Sequence, residues 1–132
     1  IEMSFSDELK GMSYAEFSPV AEQIVDLAKQ EMKQNMATGK TITYKKRLKR
    51  HTAVESEISY ILFAGKELKP PYLFPCNQDD GEDEMICFCC SQEDLKKLFD
   101  VIMQISTREG IWVNMVDKLP GMRGAFHFWV DV

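Results

Sequence analysis

Apolar residues recur at helical spacing in two stretches of the chain. In the first stretch they lie three to five positions apart: Val20, Ile24, Leu27, Ala28 and Met32. Ser18 is a good capping residue, Pro19 suits a first helical turn, and Gly39 is a common residue just after a helix end. The pattern therefore predicts a helix over about residues 19–38.

The second stretch carries stronger end signals. Ser91 followed by Asp94 three residues later is a capping-box pattern with Asp in place of the usual Glu. A core stripe follows and consists of Leu95, Leu98, Phe99, Ile102 and Ile105. Gly110 is placed to end the element, so we expect a helix over about residues 92–109.

The remaining segments alternate or are continuously apolar, as strands do. "TITYKKRLKR" (41–50) alternates apolar and basic residues, and "EISYILF" (57–63) is β-branched and aromatic. "YLFPC" (72–76) and "EMICFCC" (84–90) flank the acidic loop 77–83 and predict a hairpin. Residues 111–119 and 125–132 predict two strands joined by "PGMRG" (120–124).

Short loops between neighbouring strands favour antiparallel pairing, which indicates an α+β fold. We expect a single domain over residues 1–132, with two main helices packed on a sheet of about five or six strands. Residues 1–17 are expected to form an N-terminal arm or a short helix. "MICFCC" is apolar on both sides, so its second face also needs cover, from that arm or from a homodimer contact.

Composition and charge distribution limit the class of protein and the kinds of partner that we expect. Hydrophobic residues make up 45% of the chain and the net charge is −5, which is typical of an acidic globular protein. The charges are segregated, because "KKRLKR" (45–50) carries five positive charges and "DDGEDE" (79–84) carries five negative ones. Apolar runs of about six residues are far below the ~20 that a membrane helix needs. With no secretory signal in its first residues, we expect a cytoplasmic protein without a membrane partner.

The four cysteines are the first candidate for chemistry. Cys76, Cys87, Cys89 and Cys90 lack the paired C-x2-C spacing of structural zinc sites, and adjacent strand residues point apart. Reduced cysteines are often buried as small apolar side chains, which favours a core strand. We therefore expect no metal and no cofactor. Cys90 is the one reactive-thiol candidate, because it lies next to a helix N-terminus that can lower a thiol pKa.

His127 is the second candidate for catalysis, as the partner of a cysteine or serine nucleophile. It lies between two phenylalanines and shares its strand parity with Trp129 and Asp131. No nucleophile motif accompanies it, and a histidine in this setting is usually a partly buried structural residue. An enzyme built on Cys90 or His127 is therefore the third functional hypothesis.

The basic segment supports a nucleic-acid hypothesis. In a single strand, one face would carry Lys45, Arg47 and Lys49, and the other face Tyr44, Lys46 and Arg50. Such a row can follow a phosphate backbone while Tyr44 stacks on a base. An edge strand protected by lysines, or pairing with the acidic loop, explains the same residues without nucleic acid.

The absence of a catalytic motif makes a non-enzymatic protein-interaction module the leading hypothesis. An adaptor, inhibitor or immunity-type protein would act by surface contact, with charged patches that select the partner. Nucleic-acid binding through the six residues of the basic segment is the alternative: Tyr44, Lys45, Lys46, Arg47, Lys49 and Arg50. A homodimer is compatible with either hypothesis.

Overall fold

A computed structural model of the chain describes residues 17–62, 74–76, 85–88, 91–119 and 123–132. Three predicted features lie outside these residues: the N-terminal arm apart from Phe17, the acidic loop 77–83, and Cys90. The side chains of residues 74–76 and 117–119, and those of Met85 and Cys87, are likewise not described.

Helix α1 spans Ser18–Ala37, within one residue of the predicted bounds. Phe17 occupies the N-cap position and makes no side-chain cap, so Ser18 begins the helix and does not cap it as we expected. Gly39 adopts a φ of 74°, and the Lys40 N–H donates to the Asn35 carbonyl at 2.8 Å. This six-to-one bond is that of a Schellman motif, which needs a left-handed residue at the glycine position.

Helix α2 spans Gln92–Arg108 and ends in the same way. At its start the Asp94 N–H donates to Ser91 Oγ at 3.1 Å, which confirms the predicted cap. At its end Gly110 has a φ of 73°, and the Ile111 N–H donates to the Ser106 carbonyl at 2.8 Å. The two glycines thus fix where both helices stop.

The strands, in chain order, are β1 (Ile42–Lys46), β2 (Lys49–Leu62), β3 (Phe74–Cys76), β4 (Met85–Phe88), β5 (Trp112–Leu119) and β6 (Arg123–Asp131). Four of them form an antiparallel sheet in the order β1-β2-β6-β5. The short strands β3 and β4 extend it beside β2, and β4 runs parallel to β2. The expected α+β class with two helices and a mostly antiparallel sheet is confirmed.

Strand β2 is the centre of the sheet. One edge pairs with β6 over residues 53–61. Its other edge pairs with β1 over residues 49–53 and with β4 over residues 60–62. A single strand of 14 residues therefore holds three neighbours in register.

The basic segment differs from its prediction as one strand. Residues 42–46 and 49–53 are the two arms of a hairpin, and Arg47 and Leu48 form its two-residue loop. Arg47 has a φ of 61°, a conformation that usually selects glycine. The alternation of side chains across 44–50 is therefore interrupted at the loop.

Both helices pack on the same side of the sheet. Their apolar stripes meet the even-numbered side chains of β2 and β6, including the fully buried Phe126 and Phe128. Tyr60 packs against Phe126 with ring centroids 5.0 Å apart. Ile86 and Phe88 of β4 are buried in the same cluster, in keeping with a core strand. Of the two described helices, neither has the length and apolarity to cross a membrane.

Candidate binding face of the sheet

The side of the sheet that faces away from the helices is here called the outer face. Side chains alternate along each strand, so residues in register on neighbouring strands share a side. Glu55 on β2 lies opposite Trp129 on β6, and Trp129 lies opposite Trp112 on β5. Of the described side chains, the register places eleven aromatic or charged ones on the outer face: Tyr44, Lys46, Lys49, His51, Glu55, Glu57, Trp112, Arg123, His127, Trp129 and Asp131.

Three of these rings form a continuous stack, here called the aromatic row. Trp112 and Trp129 have centroids 6.5 Å apart with an interplanar angle of 18°. His127 continues the row with its centroid 5.0 Å from Trp129 and an angle of 27°. Trp112 is 57% exposed, although a large aromatic side chain gains most when it is buried. The row therefore presents a largely exposed indole at the start of β5.

A carboxylate holds the histidine of the row in place. His127 Nε2 donates to Glu55 Oε2 at 2.7 Å, and the two side chains are 31% and 42% exposed. A carboxylate on one ring nitrogen fixes the orientation of an imidazole and leaves the other nitrogen available. Histidine–carboxylate pairs also occur in enzymes. The hypothesis of an enzyme built on His127 stays a prediction.

The hairpin formed by β1 and the start of β2 joins the outer face through Tyr44. The Tyr44 ring stacks on His51 with centroids 5.2 Å apart and an angle of 20°. Its hydroxyl donates to Asp131 Oδ1 at 2.6 Å, which ties the hairpin to the end of β6. This hydrogen bond is the main reason why the pKa of Tyr44 is raised above its ordinary value of 10.0, with smaller contributions from desolvation and the Asp131 charge.

An ammonium group already lies on the aromatic row. Lys46 Nζ is 5.8 Å from the centroid of Trp112, within the range of a cation–π interaction. Lys46 belongs to the hairpin and Trp112 to the far edge strand, so the hairpin leans across the outer face. The exposed indole is therefore able to accept a cation.

The six predicted nucleic-acid residues are brought together only in part. Tyr44, Lys46 and Lys49 share the outer face with His51. Lys45 and Arg50 lie opposite each other on the other side, and Arg47 is in the loop. The predicted split into two rows was wrong, because the chain reverses direction after Lys46. The five basic side chains are all exposed at one end of the sheet.

Sequence reasoning missed two residues of this face. Glu55 lies 72 residues before His127 in the chain, and only the β2–β6 register brings them together. Trp112 was assigned to a strand but not to a site. An antiparallel pairing of residues 111–119 with 125–132 that aligns the two tryptophans was the available signal.

Two further candidates are weaker. Among the described residues, no group of three or more His, Cys, Asp or Glu side chains is placed to hold a metal ion. A concavity of about 370 Å³ between the helices is lined by Glu22, Val25, Asp26, Ile105, Arg108 and Glu109. Its charged rim includes Glu109, which pairs with Lys29 at 3.0 Å, and no aromatic side chain lines it.

Comparisons with protein-family models, with curated proteins and with solved structures give no match for this chain. The geometry of the outer face is therefore the basis for the functional inference below.

Proposed function

We propose that the chain is a non-enzymatic binding module that contacts a partner protein through the outer face of its sheet, in the cytoplasm. The observation that supports this proposal is the aromatic row with its exposed Trp112. Tryptophan, tyrosine and arginine carry much of the affinity of protein interfaces when a partner desolvates them. A row of stacked rings that water still reaches is well suited to this role.

The charges around the row indicate the chemistry of the partner. Glu55 and Asp131 flank the rings, and Lys46 occupies the face of Trp112. A lysine or arginine of a partner is able to take the place of Lys46 on the indole and meet the neighbouring carboxylates. We therefore propose a partner segment that combines a cationic side chain with apolar neighbours.

Site-directed photo-crosslinking in the source cell tests this proposal. The photoreactive residue benzoylphenylalanine replaces Glu57, which lies on the outer face opposite His127, or Glu31 on the exposed side of α1 as the matched control. We expect a discrete protein adduct from position 57 and none from position 31. Adding Trp112→Ala should reduce the adduct, because loss of a tryptophan that anchors an interface costs at least ~2 kcal/mol at many interfaces, or roughly 30-fold in affinity.

Equal adducts from both positions, or none from position 57, would contradict an interface on this face. Mass spectrometry of the adduct identifies the partner. It also separates a foreign protein from a second copy of the chain.

Binding of single-stranded nucleic acid by the hairpin is the second candidate. Tyr44 and His51 stack on each other with Lys46 and Lys49 beside them, which combines ring surfaces with positive charge. Proteins that bind single strands without sequence preference use the same combination. The carboxylates of Glu55 and Asp131 oppose it, which is why we place it second.

Fluorescence anisotropy of a labelled single strand and a labelled duplex, at two salt concentrations, tests this candidate. The hairpin variant is Lys45→Gln, Lys49→Gln, Arg50→Gln. The control variant removes the same charge elsewhere, by Lys33→Gln, Lys40→Gln, Lys96→Gln. Salt-sensitive binding that only the hairpin variant loses would support the candidate, since phosphate contacts release counterions. No binding at low salt would eliminate it.

A further inference from the structure

We infer that two copies of the chain associate through the edge of β5 that faces away from β6, in an antiparallel pairing with a two-fold axis at Asn114. The association joins two sheets into one. This inference does not rest on the proposed function, because it concerns the edge of the sheet and not the chemistry of a foreign partner.

The described strands leave three edges, and two of them are protected. β1 carries Lys45 and Lys46, charges that discourage pairing with another chain. β3 has three residues and contains Pro75, which cannot donate a hydrogen bond to a neighbouring strand. β5 is eight residues long and has no charge and no proline from Trp112 to Val116. Along the edge that faces away from β6, no described strand pairs with β5.

The unprotected edge also exposes apolar side chains. Trp112 is 57% exposed and Val116 is 41% exposed, and both lie on the outer face with Asn114 between them. The other exposed large apolar side chains of the described residues lie on separate elements or, for the first two, nine positions apart on α1: Leu27, Met36, Leu48, Met103 and Val132. Only β5 carries two of them on one strand, so this edge has the most to gain from cover.

The sequence of the edge is complementary to itself. With the axis at Asn114, Trp112 of one copy lies opposite Val116 of the other, which forms an aromatic–β-branched pair. Val113 lies opposite Met115 on the helix side, where both residues already pack against the core cluster. The axis itself has two asparagines. Every pair over the five residues therefore joins side chains of the same character.

Side-chain matching on the outer face favours this register over its neighbour. With the axis at Asn114, the two exposed apolar residues of the edge lie opposite each other. Moving the axis by one residue to Met115 would place Asn114 opposite Val116, which sets an amide against an apolar side chain. A two-fold pairing of this kind is isologous and closes as a dimer. Both aromatic rows then lie on the same side of the joined sheet.

Sedimentation equilibrium over a wide range of protein concentration provides the first test. We expect a species of twice the monomer mass for the native chain. Asn114→Lys places two like charges opposite each other on the axis and should weaken association at least tenfold. Gln104→Lys adds the same charge on the exposed side of α2 and should leave association unchanged. A native chain that stays monomeric throughout, or equal loss in both variants, would overturn the inference.

Disulfide trapping tests the register independently of affinity. Asn114→Cys should form a covalent dimer under mild oxidation, because directly opposite strand residues lie within disulfide range. Val116→Cys is the matched control on the same strand and face. Its symmetry mate is four positions away along the pair, about 14 Å at ~3.4 Å per residue, beyond disulfide reach. Equal trapping at both positions, or trapping only at 116, would contradict an axis at Asn114.

Discussion

Ser106 is a fully buried serine of α2 whose hydroxyl has no hydrogen-bond partner in the described structure. A buried polar group without a partner costs about 1–3 kcal/mol of stability. We therefore expect Ser106→Ala to raise the free energy of unfolding by about 1 kcal/mol, measured by urea denaturation.

Ser91 is the control for this substitution, because its hydroxyl caps α2 by accepting from the Asp94 N–H. Ser91→Ala should lower the free energy of unfolding by about 1 kcal/mol. If Ser106→Ala lost as much stability as Ser91→Ala, the buried hydroxyl would have to make a hydrogen bond that stabilises the native state.

Gly124 occupies a position on β6 with no room for a side chain. A Cβ there would lie 2.6 Å from the Val116 carbonyl oxygen and would overlap the Tyr60 hydroxyl. Because backbone cannot move aside cheaply, Gly124→Ala should lower the free energy of unfolding by about 1–3 kcal/mol, and the same urea titrations measure it. Gly39→Ala, where space is open and only the positive φ is unfavourable, should cost about 1 kcal/mol. A neutral Gly124→Ala would contradict this packing.

At the scale of elements, the loop between β1 and β2 contains an unfavourable conformation. Arg47 has a φ of 61°, which costs a non-glycine residue about 1–2 kcal/mol. Arg47→Gly removes that cost but adds freedom to the unfolded chain, so we expect stability to be unchanged or up to about 1 kcal/mol higher. Leu48→Gly, at the neighbouring exposed position with an ordinary φ, should lose about 0.5–1 kcal/mol. Thermal unfolding of the two variants side by side distinguishes them, and equal losses would contradict the strain.

The elements that sequence predicted well are those whose ends have a chemical signal. Ser91 and the two glycines after the helices located their ends because a cap or a left-handed residue is needed there. The hairpin loop was missed since Arg47 and Leu48 are not turn formers. In the sequence Leu48 continues the apolar positions of Ile42 and Tyr44, whereas in the structure it lies fully exposed at the loop.

The candidate site was predictable within a strand but not between strands. Alternation placed His127 and Trp129 on one side of β6, and the structure agrees. The position of Glu55 beside His127 depends on the register between β2 and β6. Alternation within one strand does not determine this register, because the two strands are far apart in the chain. For the same reason the stacking of Trp112 on Trp129 was not foreseen.

At the scale of the whole molecule, the bond from Tyr44 to Asp131 connects the hairpin to the end of β6. The pKa of Tyr44 is higher in the folded state than its ordinary value of 10.0. The contribution of this bond to stability is therefore fully present below pH 10.0 and is lost as the pH rises through the raised pKa. We expect the hairpin to loosen from β6 in that range.

Absorbance at 295 nm, recorded against Tyr44→Phe, isolates the titration of this tyrosine from the other three. The difference curve should have its midpoint above pH 10.0. In an Asp131→Asn variant the midpoint should fall, because the carboxylate that raises the pKa is gone. If the midpoint were the same with and without Asp131→Asn, the hairpin would not lie against β6 in solution.

The position of β2 in the sheet also sets when the protein is able to fold. Its pairs with β6 join Ala53 to Asp131 and Ile61 to Arg123, partners 62 to 78 positions apart in the chain. Such non-local pairing is slow to form, since a large loop must close before the contacts stabilise it. At ~5–20 residues per second, synthesis of the residues that separate these partners takes roughly 3 to 16 s, and β2 is unable to pair with β6 before then. During that interval the core residues of β2, among them Val54, Tyr60 and Leu62, are exposed on the ribosome, where a chaperone is able to bind them.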